Sequence, residues 1–384
     1  MPSKTIAISK PILGEEEIAA VTDVIHSGWI SQGPKVLEFE KNFAEYVGSR
    51  HACAVSNCTV SLHLALLTVG VKPGDTVVTV SHSFIATANA ARYCGAEPVF
   101  LDIDPATYNL SPSALEAYLK TAKRPPKALL LVHQMGMPCD PAILAIAEKY
   151  KLPVIEDAAC AIGSEVSFDV GKTWEKIGKP RGTIACFSFH PRKVVSTGEG
   201  GMLTTNDPKI DQQLRLLRQH GMSLTDLQRH QANKILVESY DVLGYNYRMT
   251  DLQAAIGIEQ LKKLPTFIAK RRALDQYYRK ALASIKWLEV PEEPSYARSN
   301  WQSYPVRVVA GAPKSRDELM QALFERGIMT KPGIMNAHEE KVYSSMHVSL
   351  PESEKARREV ILLPLHGTMT EEDIHFIANV LSSQ

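Results

Sequence analysis

Between residues 50 and 205, short apolar runs alternate with stretches of helical periodicity, and this alternation restricts the fold more than any other feature. The runs, rich in Val, Ile and Leu, fall at 51–55, 76–80, 97–101, 127–132, 153–156 and 184–187. Helical patterns occupy 59–70, 84–94, 111–122 and 140–150. Parallel strands need a helix-length crossover, so the pattern predicts βαβ units and a mostly parallel sheet. A run such as "ALLLV" (128–132) belongs in a sheet covered on both faces. The fold class is therefore α/β.

The flanks read differently. Two helical stretches, 15–27 and 37–47, are joined by "SGWISQGP", whose Gly-Pro step marks a loop. After residue 207 the pattern is mainly helical (208–220, 250–263, 265–284). A smaller α+β unit follows, with a strand in "SYPVRVV" (303–309) and helices near 315–327, 352–361 and 370–381. At 384 residues the chain has room for about two domains. The expected division is 1–255 for a large domain and 256–384 for a small one. Residues 166–182, with Gly171, Gly178, Pro180 and Gly182, read as a surface excursion.

Charge and composition exclude several classes. The 43 Lys+Arg against 42 Asp+Glu give a net charge of +1, with no basic excess to draw the chain to nucleic acid. The densest basic trio, Lys270-Arg271-Arg272, reads as a solvated helix face. No apolar run approaches the ~18 residues that span a bilayer, and the polar N-terminus is unlike a signal peptide. The six cysteines form no CxxC pair and suit neither a zinc site nor a disulfide framework. A reduced, cytoplasmic protein without a metal centre is expected.

Lys193 then stands out. In "SFHPRKVVSTGEGG" (188–201) it lies between two apolar runs, Ile184–Phe187 and Met202–Thr205. A lysine held in such a place can serve as a nucleophilic amine, and the commonest use is a Schiff base with pyridoxal 5′-phosphate (PLP). PLP also needs a carboxylate at its ring nitrogen, amides and hydroxyls for its phosphate, and a flat group against the ring. Asp157 follows the apolar strand Leu152–Ile155, at a carboxyl end where open α/β sheets bind ligands. "SNCTVSLHLAL" (56–66) is a turn opening into a helix; Thr59 and the amides of Cys58 and Val60 lie at its start. Ser188 offers a hydroxyl and Phe84 a ring. Taken singly, each has a plainer reading: Asp157 and Thr59 as helix caps, Phe84 as core, Lys193 as a solvated charge. Their common location at strand ends of one sheet favours convergence.

The sequence resembles the DegT/DnrJ/EryC1/StrS family of PLP-dependent sugar aminotransferases, of the aspartate-aminotransferase-like fold type I. The resemblance runs from "GWISQGPKVLEFEKNFAEYVG" through "AVSNCTVSLHLAL", "VIEDAACAIGSE" and "FSFHPRKVVSTGEGGML" to "LGYNYRMTDLQAAIG". It implies that Lys193 is the Schiff-base lysine, Asp157 the pyridinium partner, and Phe84 the stacking ring. By the same match, Cys58, Thr59 and Ser188 form the phosphate site, and Asn246 reaches the phosphate of a partner subunit. A homodimer with shared active sites, glutamate as amino donor and a nucleotide-linked keto sugar as acceptor are implied too. Trp29 and Ile30 match a loop beside the substrate entrance, and His338 falls where some family members place a substrate-side histidine; His190, three residues before Lys193, reads either as a substrate contact or as a packed or solvent-facing side chain. The chain departs from the family at Cys58, where the phosphate turn usually has glycine, and at Cys160, where Gln or His is usual near the PLP hydroxyl. The long 166–182 excursion is a further departure, either covering the pocket or having no catalytic part. Rival readings are a sugar dehydratase, in which histidine replaces the lysine, a cysteine desulfurase, and a non-catalytic binding or regulatory protein.

Overall fold

The computed structural model describes residues 5–224, 232, 233, 235 and 237–384. Two helices, α1 (Glu15–Ser27) and α2 (Pro34–Val47), precede the first strand, β1 (His51–Val55). α2 starts three residues earlier than its periodicity suggests. Pro34 suits a first helical position because it has no amide to satisfy. The distant Asp251 carboxylate accepts the amides of Gly33, Lys35 and Val36 at 2.7, 3.0 and 3.0 Å, which supplies the cap.

The α/β alternation follows as expected: α3 (Cys58–Thr68), β2 (Thr76–Val80), α4 (Ala86–Tyr93), β3 (Glu97–Leu101), α5 (Pro112–Thr121), β4 (Ala128–Val132), α6 (Ala142–Lys149) and β5 (Val154–Asp157). Next come two short strands, β6 (Glu165–Val166) and β7 (Glu175–Lys176), then β8 (Ile184–Ser188), β9 (Gly201–Thr205) and α7 (Pro208–Leu217). Seven strands form one sheet in the order β1-β9-β8-β5-β4-β2-β3. β9 runs antiparallel to both neighbours, pairing Ser188 with Gly201, and the other pairings are parallel. The carboxyl ends of β2, β4, β5 and β8 therefore lie along one edge.

A single helix, α8 (Asp251–Leu282), replaces the two stretches read at 250–263 and 265–284. Pro265 removes one backbone donor without breaking it, because the helix packs along α1 and α2. Its Ile258, Leu264 and Ile268 enter the core beneath β1, β8 and β9; its Leu274, Tyr278 and Leu282 enter a second core.

That second core lies around β10 (Leu288–Glu289), β11 (Ala297–Arg298), β12 (Tyr304–Val308), α9 (Arg316–Glu325), β14 (Val360–Leu363) and α11 (Glu371–Ser382), while β13 (Lys331–Pro332) edges the sheet and α10 (Pro351–Glu359) turns its Ala356 to the core beside β2 and β4. β10, β12, β14 and β13 form an antiparallel sheet in that order.

Two sequence readings are corrected here. Residues 166–182 are more than a surface excursion: β6 and β7 join β11 in a three-stranded sheet, and Ile177 is buried. Gly178 (φ +102°) presses so close to Phe187 that an added Cβ would fall 2.5 Å from the ring. Nor is Lys270-Arg271-Arg272 a solvated face. Arg271 is buried, and its Nη1 donates to the carbonyls of Trp301, Gln302 and Leu365 at 2.8, 3.3 and 3.1 Å. Burial pushes its guanidinium down to about 10. Carbonyls from distant segments, invisible in a local charge pattern, draw it inward.

Candidate active site

Asp157 is the last residue of β5 and is 5% exposed. Its Oδ2 accepts a hydrogen bond from Thr87 Oγ1 at 2.8 Å and its Oδ1 accepts from the Ala159 amide at 3.2 Å. Thr87 has one hydroxyl proton and gives it to Asp157, so Ser83 Oγ, 2.8 Å away, must donate to Thr87. Burial raises the carboxyl of Asp157 above its ordinary value; Thr87, Ala159, Lys193 and His133 oppose that by favouring the anion. His133 follows β4 and is fixed in one tautomer. Its Nδ1 accepts the Cys139 amide at 3.1 Å, leaving Nε2–H to face Glu156 at 3.1 Å.

The start of α3 forms the anion cradle. Asn57 is the N-cap, and its side chain accepts the Val60 amide at 3.1 Å. The expected role for the Val60 amide is thereby corrected: the cap consumes it. The amides of Cys58 and Thr59 stand at the first two helical positions, where the helix supplies no acceptor. Cys58 is absent from the left-handed residues, so this turn has no need of the glycine the family usually places there. Burial pushes the Cys58 thiol well up, which keeps it neutral.

Lys193 sits in the connection between β8 and β9. Its Nζ lies 3.1 Å from Cys160 Sγ. Burial opposes the ammonium charge, but the hydrogen-bonded Cys160 and the Asp157 carboxylate outweigh it and hold the amine above its ordinary value. The glycines after it have separate reasons. Gly198 turns the chain at φ +82°, whereas Gly201 lets β9 touch α3: a Cβ there would lie 2.5 Å from the Asn57 carbonyl.

One cavity of about 1080 Å³ joins these groups. Cys58, Thr59, Val60, Phe84, Asp157, Cys160, Ser188, His190 and Lys193 all line it. Phe84, 63% exposed, presents a free ring at the start of α4. No residue of 166–182 lines this cavity. Four expected residues lie elsewhere. Trp29 packs over Gly33 with its indole N–H on the Gln32 carbonyl at 3.1 Å, and Ile30 beside it is exposed. His338 pairs its Nδ1 with Ser81 Oγ at 2.6 Å and faces Glu354 at 3.5 Å. Asn246 is exposed and bridges to Gln219.

Sequence reasoning missed other residues of this cavity: Thr87, His133, Gln134, Gln302, Arg192 and Lys331. Thr87 and His133 were findable, one on the helical turn opened by Phe84 and the other at the end of a read strand. Gln134 Nε2 and Gln302 Oε1 are buried without a hydrogen-bond partner among the described residues. Among these residues no cluster of His, Cys, Asp and Glu suits a metal ion, and no helix is long and apolar enough to cross a membrane.

A mainly parallel sheet with a lysine and a buried carboxylate meeting at its carboxyl edge, beside a helix start open to a phosphate, defines a fold-type-I PLP enzyme. The chain belongs to the DegT/DnrJ/EryC1/StrS aminotransferase family, whose profile matches residues 11–382. It is similar to the spore coat polysaccharide biosynthesis protein SpsC of Bacillus subtilis, at 37% identity over 373 residues, 95% of this chain and 93% of that one. The crystal structure of the aminotransferase TlmJ from Streptoalloteichus hindustanus superposes with a TM-score of 0.87 at 33% identity, covering 99% and 98% of the two chains. Helicobacter pylori PseC, an aminotransferase involved in the biosynthesis of pseudoaminic acid, gives 0.89 at 27% identity and 99% coverage of both. Family and fold together place this chain among the PLP-dependent aminotransferases.

Proposed function

We propose that this protein moves an amino group from glutamate to a nucleotide-linked keto sugar, with PLP as cofactor and a homodimer as the working unit. One observation carries the reading: a single cavity joins the Lys193 amine, the buried Asp157 carboxylate and the open amides at the start of α3. The donor set fits PLP. Asp157 would hold the ring nitrogen, Cys58 and Thr59 amides with the Thr59 and Ser188 hydroxyls would hold the phosphate, and Phe84 would cover the ring. Cys160 would lie near the ring hydroxyl. Asn246, exposed here, would serve the phosphate of the other subunit, with Trp29 and Ile30 at the substrate entrance. His190 would meet substrate within the cavity; His338, held by Ser81, would support that wall from behind.

When bound, PLP supplies an electrophilic carbon for amines and a ring that withdraws electrons from the donor's α-carbon. Lys193 Nζ would bind the cofactor, be displaced by the donor amine, and then carry a proton from the donor's α-carbon. Asp157 would keep the ring nitrogen protonated, with Thr87 and Ala159 holding its carboxylate in place. About 1080 Å³ is at the upper end of ordinary ligand pockets, which leaves room for a two-part substrate beside the cofactor. Six unpaired cysteines support a cytoplasmic setting.

The test is the absorption spectrum of protein loaded with PLP. Excess glutamate should convert the band of lysine-bound PLP to a pyridoxamine-type band, and UDP-, GDP- or dTDP-linked keto sugars should restore it. Lys193→Ala should show no lysine-bound band. Absence of the band in the unaltered protein would overturn the cofactor assignment, and a band insensitive to glutamate would overturn the donor.

A further inference from the structure

Two cations in the cavity wall have no ion-pair partner among the described residues. Arg192 directly precedes Lys193, on the loop after β8; Lys331 opens β13 in the small sheet. Both line the cavity, yet neither has a carboxylate within ion-pair distance among the described residues. The other two arginines of the wall are paired. Arg357 meets Glu340 at 3.1 Å and Glu339 at 3.5 Å, and Arg316 meets Asp317 at 2.6 Å.

His190 links the two unpaired cations. Its Nδ1 accepts the Arg192 amide at 3.2 Å; burial holds its imidazole below the ordinary value, the Glu199 carboxylate of the same wall opposes that, and Arg192, Lys193 and Lys331 add to it. Burial, then the charge of Arg192, holds Lys331 below its ordinary value. The Arg192 loop is also anchored: Gln302 Nε2 donates to the Arg192 carbonyl at 2.6 Å. Gln302 follows Trp301, a bulky residue at φ +51° that is held by Ser299 Oγ on its amide and Arg271 on its carbonyl. Like charges fixed around one space, from two different sheets, call for an anion between them. The cofactor's phosphate has its own place at the start of α3, so this anion belongs to a substrate.

We infer that Arg192 and Lys331, with His190 beside them, form a subsite for an anionic group of a substrate, bridging the large and small sheets. The inference rests on the aminotransferase reading above. The two sources of such a group are the diphosphate of a sugar nucleotide and the carboxylates of glutamate.

The experiment uses PLP-loaded protein and the variants Arg192→Met, Lys331→Met and Lys331→Arg. Binding of UDP, GDP, dTDP and inorganic pyrophosphate is measured by calorimetry, and the glutamate concentration at half-maximal band conversion by rapid spectroscopy. Removing one charge-assisted hydrogen bond from the subsite should weaken its ligand by about 10- to 100-fold, and Lys331→Arg should restore most of that. Weakened nucleotide and pyrophosphate binding identifies the diphosphate. A raised half-maximal glutamate concentration alone identifies the carboxylates. If both quantities stay within about twofold in all variants, the subsite is overturned; so it is if the PLP-bearing parent binds no probe and ignores glutamate. Absence of the PLP band in the parent would instead overturn the underlying aminotransferase reading.

Discussion

Thr87→Val is the sharpest test of how this site sets its electrostatics. Thr87 is 2% exposed, and its hydroxyl sits between Ser83 and Asp157 at 2.8 Å from each. Valine keeps the shape and removes the donor. A hydrogen bond to a buried charged group contributes about 1.5–3 kcal/mol, which corresponds to roughly 10- to 150-fold in an equilibrium or a rate. The sign follows from the site. Burial already raises the Asp157 carboxyl, and Thr87 leads the groups that oppose it. Removing Thr87 raises it further, so less of the anion is present at a given pH and the proton on the cofactor ring is held less well. The assay is the single-turnover conversion of PLP-loaded protein by saturating glutamate, followed from acid to alkaline pH. The expected result is a loss of about 10- to 100-fold near neutrality, an acid limb displaced to higher pH, and near-complete recovery in Thr87→Ser. A Thr87→Val protein that keeps its parent's rate within about twofold across the pH range, with PLP saturating, would refute the reasoning.

Two further predictions concern the framework. In Arg218→Met, Glu40 keeps Arg215 at 2.6 Å but is deprived of its buried partner, and urea unfolding should show a loss of about 3–5 kcal/mol. Burial alone would raise the Glu40 carboxyl, but Arg218 and Arg215 hold it below its ordinary 4.5; the parent's stability from this pair is thus complete above about pH 4.5 and fades as pH falls further. Gly201→Ala would place a methyl 2.5 Å from the Asn57 carbonyl and 2.7 Å from Ser61 Oγ, forcing the start of α3 away from β9. Overpacking of this kind costs about 1–3 kcal/mol, and a PLP titration should show affinity lowered by roughly tenfold.

The strands were legible because burial on both faces writes itself as a local run, and the residues just past each run then fall at one edge of the sheet. Asp157, Ser188 and Lys193 could be placed there on that ground alone. The reversed strand β9 was not legible, since its apolar run looks like any other and only pairing with β1 and β8 sets its direction. The two-helix reading of 250–284 failed because proline is a local break signal, while the faces buried by α8 belong to distant elements, α1 and α2 more than two hundred residues before it and α11 near the end of the chain.

The cavity divides along the same line. Residues that present a reactive or flat group at a strand or helix end carry a signature of position and type: Phe84, Thr59 and Cys58 are of this kind. Residues that set charge carry none. Thr87 reads as one more helix residue until Asp157 is seen 2.8 Å away, and Arg271 reads as a surface charge until three carbonyls are found around its guanidinium. Arg192 and Lys331 show the limit most plainly. Each alone is an ordinary cation on a loop or at a strand start, and what gives them meaning is that both line one cavity built from two sheets with no ion-pair partner among the described residues. Local patterning thus decides which groups arrive at the edge of the large sheet, while the charge each of them carries is decided by contacts the small sheet and the distant helices bring to it.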